Sequence, residues 1–181
     1  SAVEAEIQRL GMPGGRFSVQ LKPAAEGEYT PYGLEQVEFL VSANPGQPLR
    51  PLAKVASGGE LSRISLAIQV ITAQTSRVPT LVFDEVDVGI GGPTAEIVGQ
   101  LLRRLGERGQ VLTVTHLPQV AAQGHHHLFV HKARDTDETR TAVTELDQAG
   151  RVEEIARMLG GVDLTEQSLA HARQMVTSAQ A

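Results

Sequence analysis

Apolar positions along the chain change their period several times, and each change marks an element. Val3, Ile7 and Leu10 fall at helical spacing, with Glu4, Glu6 and Arg9 between them, and Gly11, Pro13, Gly14 and Gly15 stop the run. Arg16 to Lys22 alternates, with Phe17, Val19 and Leu21 on one face, and predicts a strand. Gln36 to Ser42 alternates through Val37, Phe39 and Val41 and predicts its partner across a polar hairpin connection. Asn44 to Pro51, with Pro45, Gly46 and Pro48, reads as loop. From about Gly59 the period becomes helical: Leu61, Ile64, Ile68 and Ile71, widened by Leu66, Ala67 and Val70, predict a mostly buried helix.

Thr80 to Phe83 carries no charge and predicts a short strand buried on both faces, as in the middle of a parallel sheet. After the turn containing Gly89, Gly91 and Gly92, Pro93 opens a helix marked by Ala95, Val98, Leu101, Leu102 and Leu105 and ended at Gly106. Gln110 to Thr115 predicts a second buried strand. Leu128 to Val130 and Thr141 to Leu146 predict a hairpin across Arg134 to Thr139. A helix follows Gly150 (Val152, Ile155, Ala156, Met158, Leu159), closed by Gly160 and Gly161, and a last helix runs from about Leu164 to Val176. Strand, helix, strand through residues 80 to 115 implies a right-handed parallel unit and an α/β fold.

Two acids, Asp84 and Glu85, follow the first of these strands directly, and His116 follows the second. Both sites fall at the carboxyl edge of a parallel sheet, where open α/β sheets bind ligands. Ser57, Gly58, Gly59 and Glu60 stand at the start of the preceding helix, whose free N–H groups and positive end suit an anion. Each feature alone also fits a bland reading. Asp84 and Glu85 can solvate a strand end, and Ser57 or Ser62 can be a plain N-cap. The run His125-His126-His127 fits a loop-to-strand surface better than a metal site, since adjacent strand residues point to opposite faces. Arg103, Arg104, Glu107 and Arg108 read as a solvated helix face.

Composition narrows the classes. The 181 residues are 41% hydrophobic and 20% charged, enough for one domain with an aliphatic core. Aromatics are 3%, which argues against a base-stacking surface. There is no cysteine, so no disulfide framework and no thiol chemistry. The net charge of −5 gives no support for a DNA-binding face on this chain itself. No apolar run approaches the roughly 20 residues of a membrane span, and a cytoplasmic location is the expectation.

The order of these motifs resembles the second half of an ABC-type ATPase head. Val55 to Arg63 is similar to the signature motif, Thr80 to Glu85 to Walker B with its glutamate, Val86 to Gly92 to the D-loop region, and Thr115-His116 to the switch histidine. Phe83 to Gly92, Thr115 to Ala122 and Glu154 to Gly161 resemble the bacterial DNA-repair branch of the ATPases related to structural maintenance of chromosomes (SMC). The resemblance runs from about Leu10 to the last helix. It implies a P-loop NTPase-like fold, the carboxyl-terminal half of the head, with a mainly parallel sheet flanked by helices and a terminal β-hairpin. No Gly-x-x-x-x-Gly-Lys-Ser/Thr occurs, so the resemblance places the phosphate loop in an amino-terminal lobe, reached by a coiled-coil arm of which residues 1–13 are the end and from which 14–181 form the lobe. Gly91 follows Ile90 where related heads often carry Asp, so a D-loop carboxylate is not assigned, although Asp87 is near.

The roles that the resemblance implies are these. Asp84 holds Mg²⁺ through water, Glu85 polarises the attacking water, and His116 contacts the γ-phosphate of ATP. Ser57, Gly58, Gly59 and Glu60 cap ATP bound to an opposing head. The implied partners are the amino-terminal lobe, a second head in a homodimer, and DNA, in the form of double-stranded ends, with no membrane. The implied function is ATP-dependent double-strand-break repair by recombination, in the bacterial cytoplasm at the nucleoid. A non-catalytic dimerisation or scaffold lobe is the competing expectation, and a transporter-type subunit fits less well than a chromosome-type head.

Overall fold

The computed structural model describes residues 1–31, 33–55, 57–72, 78–135, 138–160 and 164–180. Ala56 in the signature stretch, Thr136 and Asp137 in the expected hairpin turn, and Gly161 lie outside the described residues. The elements run α1 (Ala2–Arg9), β1 (Arg16–Pro23), β2 (Glu35–Ser42), β3 (Arg50–Pro51), α2 (Gly58–Thr72), β4 (Thr80–Phe83), α3 (Gly92–Gly106), β5 (Gln110–Thr113), α4 (Pro118–Ala121), β6 (Leu128–Asp135), β7 (Glu138–Glu145), α5 (Gln148–Gly160) and α6 (Glu166–Gln180).

β4 and β5 pair in parallel, Thr80 opposite Gln110 and Phe83 opposite Thr113, joined through α3. This strand–helix–strand unit carries the site. α3 forms because Ala95, Val98, Leu101, Leu102 and Leu105 recur on one face while Arg103 and Arg104 occupy its last turn, where positive charge suits the helix end. All five are buried, and each Leu or Val so buried contributes about 1.5–3 kcal/mol. They join Ile7 and Leu10 at the end of α1, Ile64 and Leu66 of α2, and Phe83 of β4 in one core. A second, smaller core forms where α5 packs on α6: Val152, Ile155, Ala156, Ala172 and Val176, with Ala122 from the segment after α4.

The strand calculus differs from expectation in one respect. The parallel pair is two-stranded, and the described strands otherwise form an antiparallel three-stranded sheet β1–β2–β3 and the antiparallel hairpin β6–β7. β4 and β5 are therefore apolar on both faces but covered on one. Phe83 is 5% exposed, whereas Val82, Leu112 and Val114 are 67%, 44% and 64% exposed. An apolar run reports the surface that a strand is built to bury, and within these residues only the α3 side is filled. Likewise Val19, Leu21 and Val37 stay exposed on the antiparallel sheet, although Phe17 and Phe39 meet with ring centroids 5.5 Å apart.

Smaller differences have local causes. The buried stripe of α2 is Arg63, Ile64, Leu66 and Ala67, with Leu61 and Ile71 turned outward. The loop at Asn44 to Pro51 ends in a two-residue pairing of Arg50 and Pro51 with Val41 and Leu40. Gly150 lies inside α5, which starts early because the Asp147 carboxylate accepts from its amide at 2.8 Å. His125 and His126 form a bend and His127 leads into β6, the expected passage from loop to strand.

That bend has a titration consequence. The His127 pKa is lowered, first by burial and then by the neighbouring Arg151 charge, and the His125 pKa is lowered by burial and by Arg103. The folded chain thus refuses a proton that the unfolded chain accepts near pH 6.5. The stability held above that pH falls as the pH drops below it. Urea midpoints at pH 7.5 and 5.5 will show this loss, and His127→Gln will reduce it. An unchanged pH difference in the variant would remove His127 as its source.

Candidate functional site

The turn from Asp84 to Ile90 is the centre of the candidate site. The parallel register continues past Phe83, where the Val114 amide donates to the Phe83 carbonyl at 3.0 Å, so Asp84 and Thr115 leave the sheet side by side. Asp84 and Glu85 are both exposed at that edge. The Glu85 amide donates to Asp84 Oδ1 at 2.9 Å, and the second Asp84 oxygen has no partner among the described residues. Glu85 adopts φ +57°, and it is the non-glycine residue with positive φ among those described. For a side chain with Cβ this conformation costs about 1–2 kcal/mol. Strain of this kind at an exposed carboxylate marks a functional position more readily than a packing one.

The start of α2 comes to the same place. Ser57 Oγ accepts from the Glu60 amide at 3.3 Å as an N-cap. The Ser62 hydroxyl donates to the Asp84 carbonyl at 2.7 Å, and Arg63 Nη1 donates to the Val88 carbonyl at 2.7 Å. Arg63 is buried, which lowers its pKa, with Glu60 and Asp87 acting in the other direction. A glycine is needed at Gly59, where backbone approaches, whereas at Gly58 only the movable end of Glu85 comes close. A Cβ on Gly58 would stand 2.1 Å from Glu85 Oε2, and one on Gly59 would stand 2.9 Å from the Val88 carbonyl oxygen. The helix start expected to admit a phosphate is therefore approached by this chain's own acidic turn.

His116 projects from the end of β5 with a side chain 71% exposed. Its backbone amide donates to Asp87 Oδ2 at 3.3 Å, and its Nδ1 lies 3.7 Å from the same oxygen. The Thr115 hydroxyl donates to that oxygen too. Asp84, Glu85, His116 and the Ser57–Glu60 helix start are thus gathered at one edge.

Relatives at this level of similarity decide the family. The chain is 54% identical over 177 residues to the DNA repair protein RecN of Vibrio cholerae, 55% over 174 residues to that of Xylella fastidiosa, and 44% over 191 residues to that of Streptomyces coelicolor. The alignments cover 98%, 96% and 100% of this chain. The chain belongs to the RecN family. It spans about a third of these relatives' length (32%, 31% and 33%) and corresponds to their carboxyl-terminal part. No family profile matches it.

The fold agrees with this RecN assignment. The Smc head domain of Pyrococcus yayanosii superposes with a TM-score of 0.59 at 17% identity, over 85% of this chain and 28% of that one. The Smc head of Pyrococcus furiosus, solved with the C-terminal domain of ScpA, gives 0.57 at 18%, over 86% and 37%. The fold is that of part of an Smc-type, P-loop NTPase-like head, its carboxyl-terminal lobe. Among the described residues, no helix is long and apolar enough to cross a membrane.

Three residues of this RecN lobe were not singled out from the sequence as parts of the site or its support. Asp87 is 2% exposed and joins the two strand ends. Arg63 fastens the start of α2 to the acidic turn. Arg151 is 5% exposed and grips the segment after α4 through the Ala122, Gly124 and His125 carbonyls. A lone acid between Val86 and Val88, matched by a threonine directly before His116, was the available signal for Asp87.

Proposed function

We propose that this chain is the carboxyl-terminal lobe of a dimerising ATPase head that acts in DNA double-strand-break repair by recombination. The observation that carries the reading is the strained, exposed Glu85 held at the carboxyl edge of β4, directly after Asp84 and on the edge from which His116 also leaves. Glu85 also opens the turn closed by the Val88 amide, but its exposure at the strand edge favours the catalytic reading over the non-catalytic scaffold alternative.

In this reading an amino-terminal lobe supplies the phosphate loop, and its apolar surface covers Val82, Leu112 and Val114. Residues 1–13 are the end of the arm between the lobes, and 14–181 the lobe proper. The substrate is ATP. Mg²⁺ fits the donors present: the exposed Asp84 offers a carboxylate oxygen without a partner among the described residues, a hard ligand suited to an ion that keeps its waters. When bound, Mg²⁺ would neutralise charge on the phosphates. Glu85 accepts a hydrogen bond from the attacking water and aims its lone pair, and His116 holds the γ-phosphate end of the substrate. The helix start at Ser57–Glu60 serves ATP on the opposing head, so two copies enclose two nucleotides. Double-stranded DNA ends are the macromolecular partner and the bacterial nucleoid the place of action.

The test is ATP-dependent pairing of the full-length protein, read as mass in solution. Wild type will shift from monomer to dimer with ATP. Ser57→Arg places a large cation at the helix start and will stay monomeric while still binding ATP. Dimers formed by Ser57→Arg at wild-type ATP concentrations would refute the in-trans assignment.

A further inference from the structure

Asp87 is the only fully buried acid among the described residues. A carboxylate taken out of water is costly unless donors replace the lost hydration. One oxygen, Oδ2, receives those donors from two consecutive residues at the end of β5, the Thr115 hydroxyl and the His116 amide. The groups that face it are the His116 imidazole, with Nδ1 at 3.7 Å, and the Arg63 guanidinium, which feels the Asp87 charge while bonding the next carbonyl. Thr115 Oγ1 is itself bonded by the Leu117 amide at 3.0 Å, so the chain reverses around this one oxygen before α4 begins. A turn needing only an acceptor would be served by a backbone carbonyl. A charged acceptor shared by two neighbouring donors does more, because it allows a single rotation of the corner from which His116 projects.

We propose that Asp87 is a positioning residue that fixes the Thr115–His116 corner, setting where the imidazole stands relative to Asp84 and Glu85 without itself touching nucleotide. The inference rests on the ATPase reading above and deepens it. It also gives the acidic turn an internal carboxylate, at a position where Gly91 leaves no later one.

The experiment uses the full-length protein with Asp87→Ala, Asp87→Asn, Thr115→Val, Thr115→Ser, His116→Ala and the double variant Asp87→Ala/His116→Ala. Two readouts are taken: steady-state ATP hydrolysis, and amide hydrogen exchange at His116 without nucleotide. Asp87→Ala and Thr115→Val will lower kcat about tenfold or more, with KM changed less than about threefold. Both will speed exchange of the His116 amide. Asp87→Asn and Thr115→Ser keep an oxygen in place and will recover most of both. The double variant will be no slower than His116→Ala, because a residue acting through another is not additive with it. Thr115→Val carries the test if Asp87→Ala does not fold. Full activity of Asp87→Ala or Thr115→Val beside a slow His116→Ala overturns this inference alone, and so does additive loss in the double variant. Full activity of His116→Ala overturns it together with the site reading.

Discussion

Full-length protein carrying Glu85→Gln will bind ATP as wild type does and hydrolyse it at least about a hundredfold more slowly. The amide keeps the length and shape of the side chain and can still sit against Gly58, where the carboxylate lies now. It cannot accept a proton or draw one from water. A hundredfold loss is about 2.7 kcal/mol of transition-state stabilisation, within the range for a positioned general base. The backbone strain at φ +57° is unaffected by the change, so the thermal midpoint will hold steady. Binding is measured by nucleotide titration and hydrolysis by phosphate release in a single turnover. Hydrolysis by Glu85→Gln at the wild-type rate removes Glu85 from the chemistry. Trapped ATP-bound dimers are the expected companion of a slow rate, since the helix starts at Ser57 would then stay engaged.

Arg151→Met will lower stability by about 3 kcal/mol. Arg151 is buried in the smaller core, and burial, followed by the Arg103 charge, lowers its pKa. It donates to the Gly124 carbonyl at 2.6 Å, to His125 at 3.3 Å and to Ala122 at 3.4 Å. Hydrogen bonds to a charged donor contribute about 1.5–3 kcal/mol each, and truncating the donor leaves carbonyls without partners in a site closed to water. Methionine recovers part of the loss through its packing, which is why the total is set near 3 rather than at the sum. Urea denaturation measures it, and a change under about 1 kcal/mol would show that the three carbonyls find other partners. Arg157→Met, two helical turns along α5, is the control. Arg157 pairs with Glu154 at 2.5 Å but is 54% exposed, and such pairs contribute at most about 1 kcal/mol.

The parts of this molecule that sequence reasoning found are those whose signal is local. The period of Ala95, Val98, Leu101 and Leu105 needs no partner to be read as α3, and the alternation of Phe17, Val19 and Leu21 needs none to be read as β1. Asp84, Glu85 and His116 could be placed on one edge because a strand–helix–strand unit leaves only one arrangement. The misreadings come from contacts between distant residues. The apolar runs at Val82 and Leu112 state what those strands are made to bury, and nothing in them says that this chain leaves one face bare. Which stripe of α2 turns inward depends on Arg63 finding the Val88 carbonyl, 25 residues on. The four residues of α4 are too few to show a period. Asp87 resembles any acid in a glycine-rich turn until Thr115 is seen beside it.

Ile7 and Leu10 lie at the base of α1 and are fully enclosed by the packing that also holds Ile64 of α2 and Leu101 of α3. The first helix is therefore keyed into the lobe, with no slack joint between them. Close-packed interiors shift between discrete arrangements and do not bend smoothly. A torque applied to α1 is passed through this shared core to α2. Seen mechanically, α1 is a crank handle set in the body it turns: whatever leans on it leans on the packed core of α2 as well.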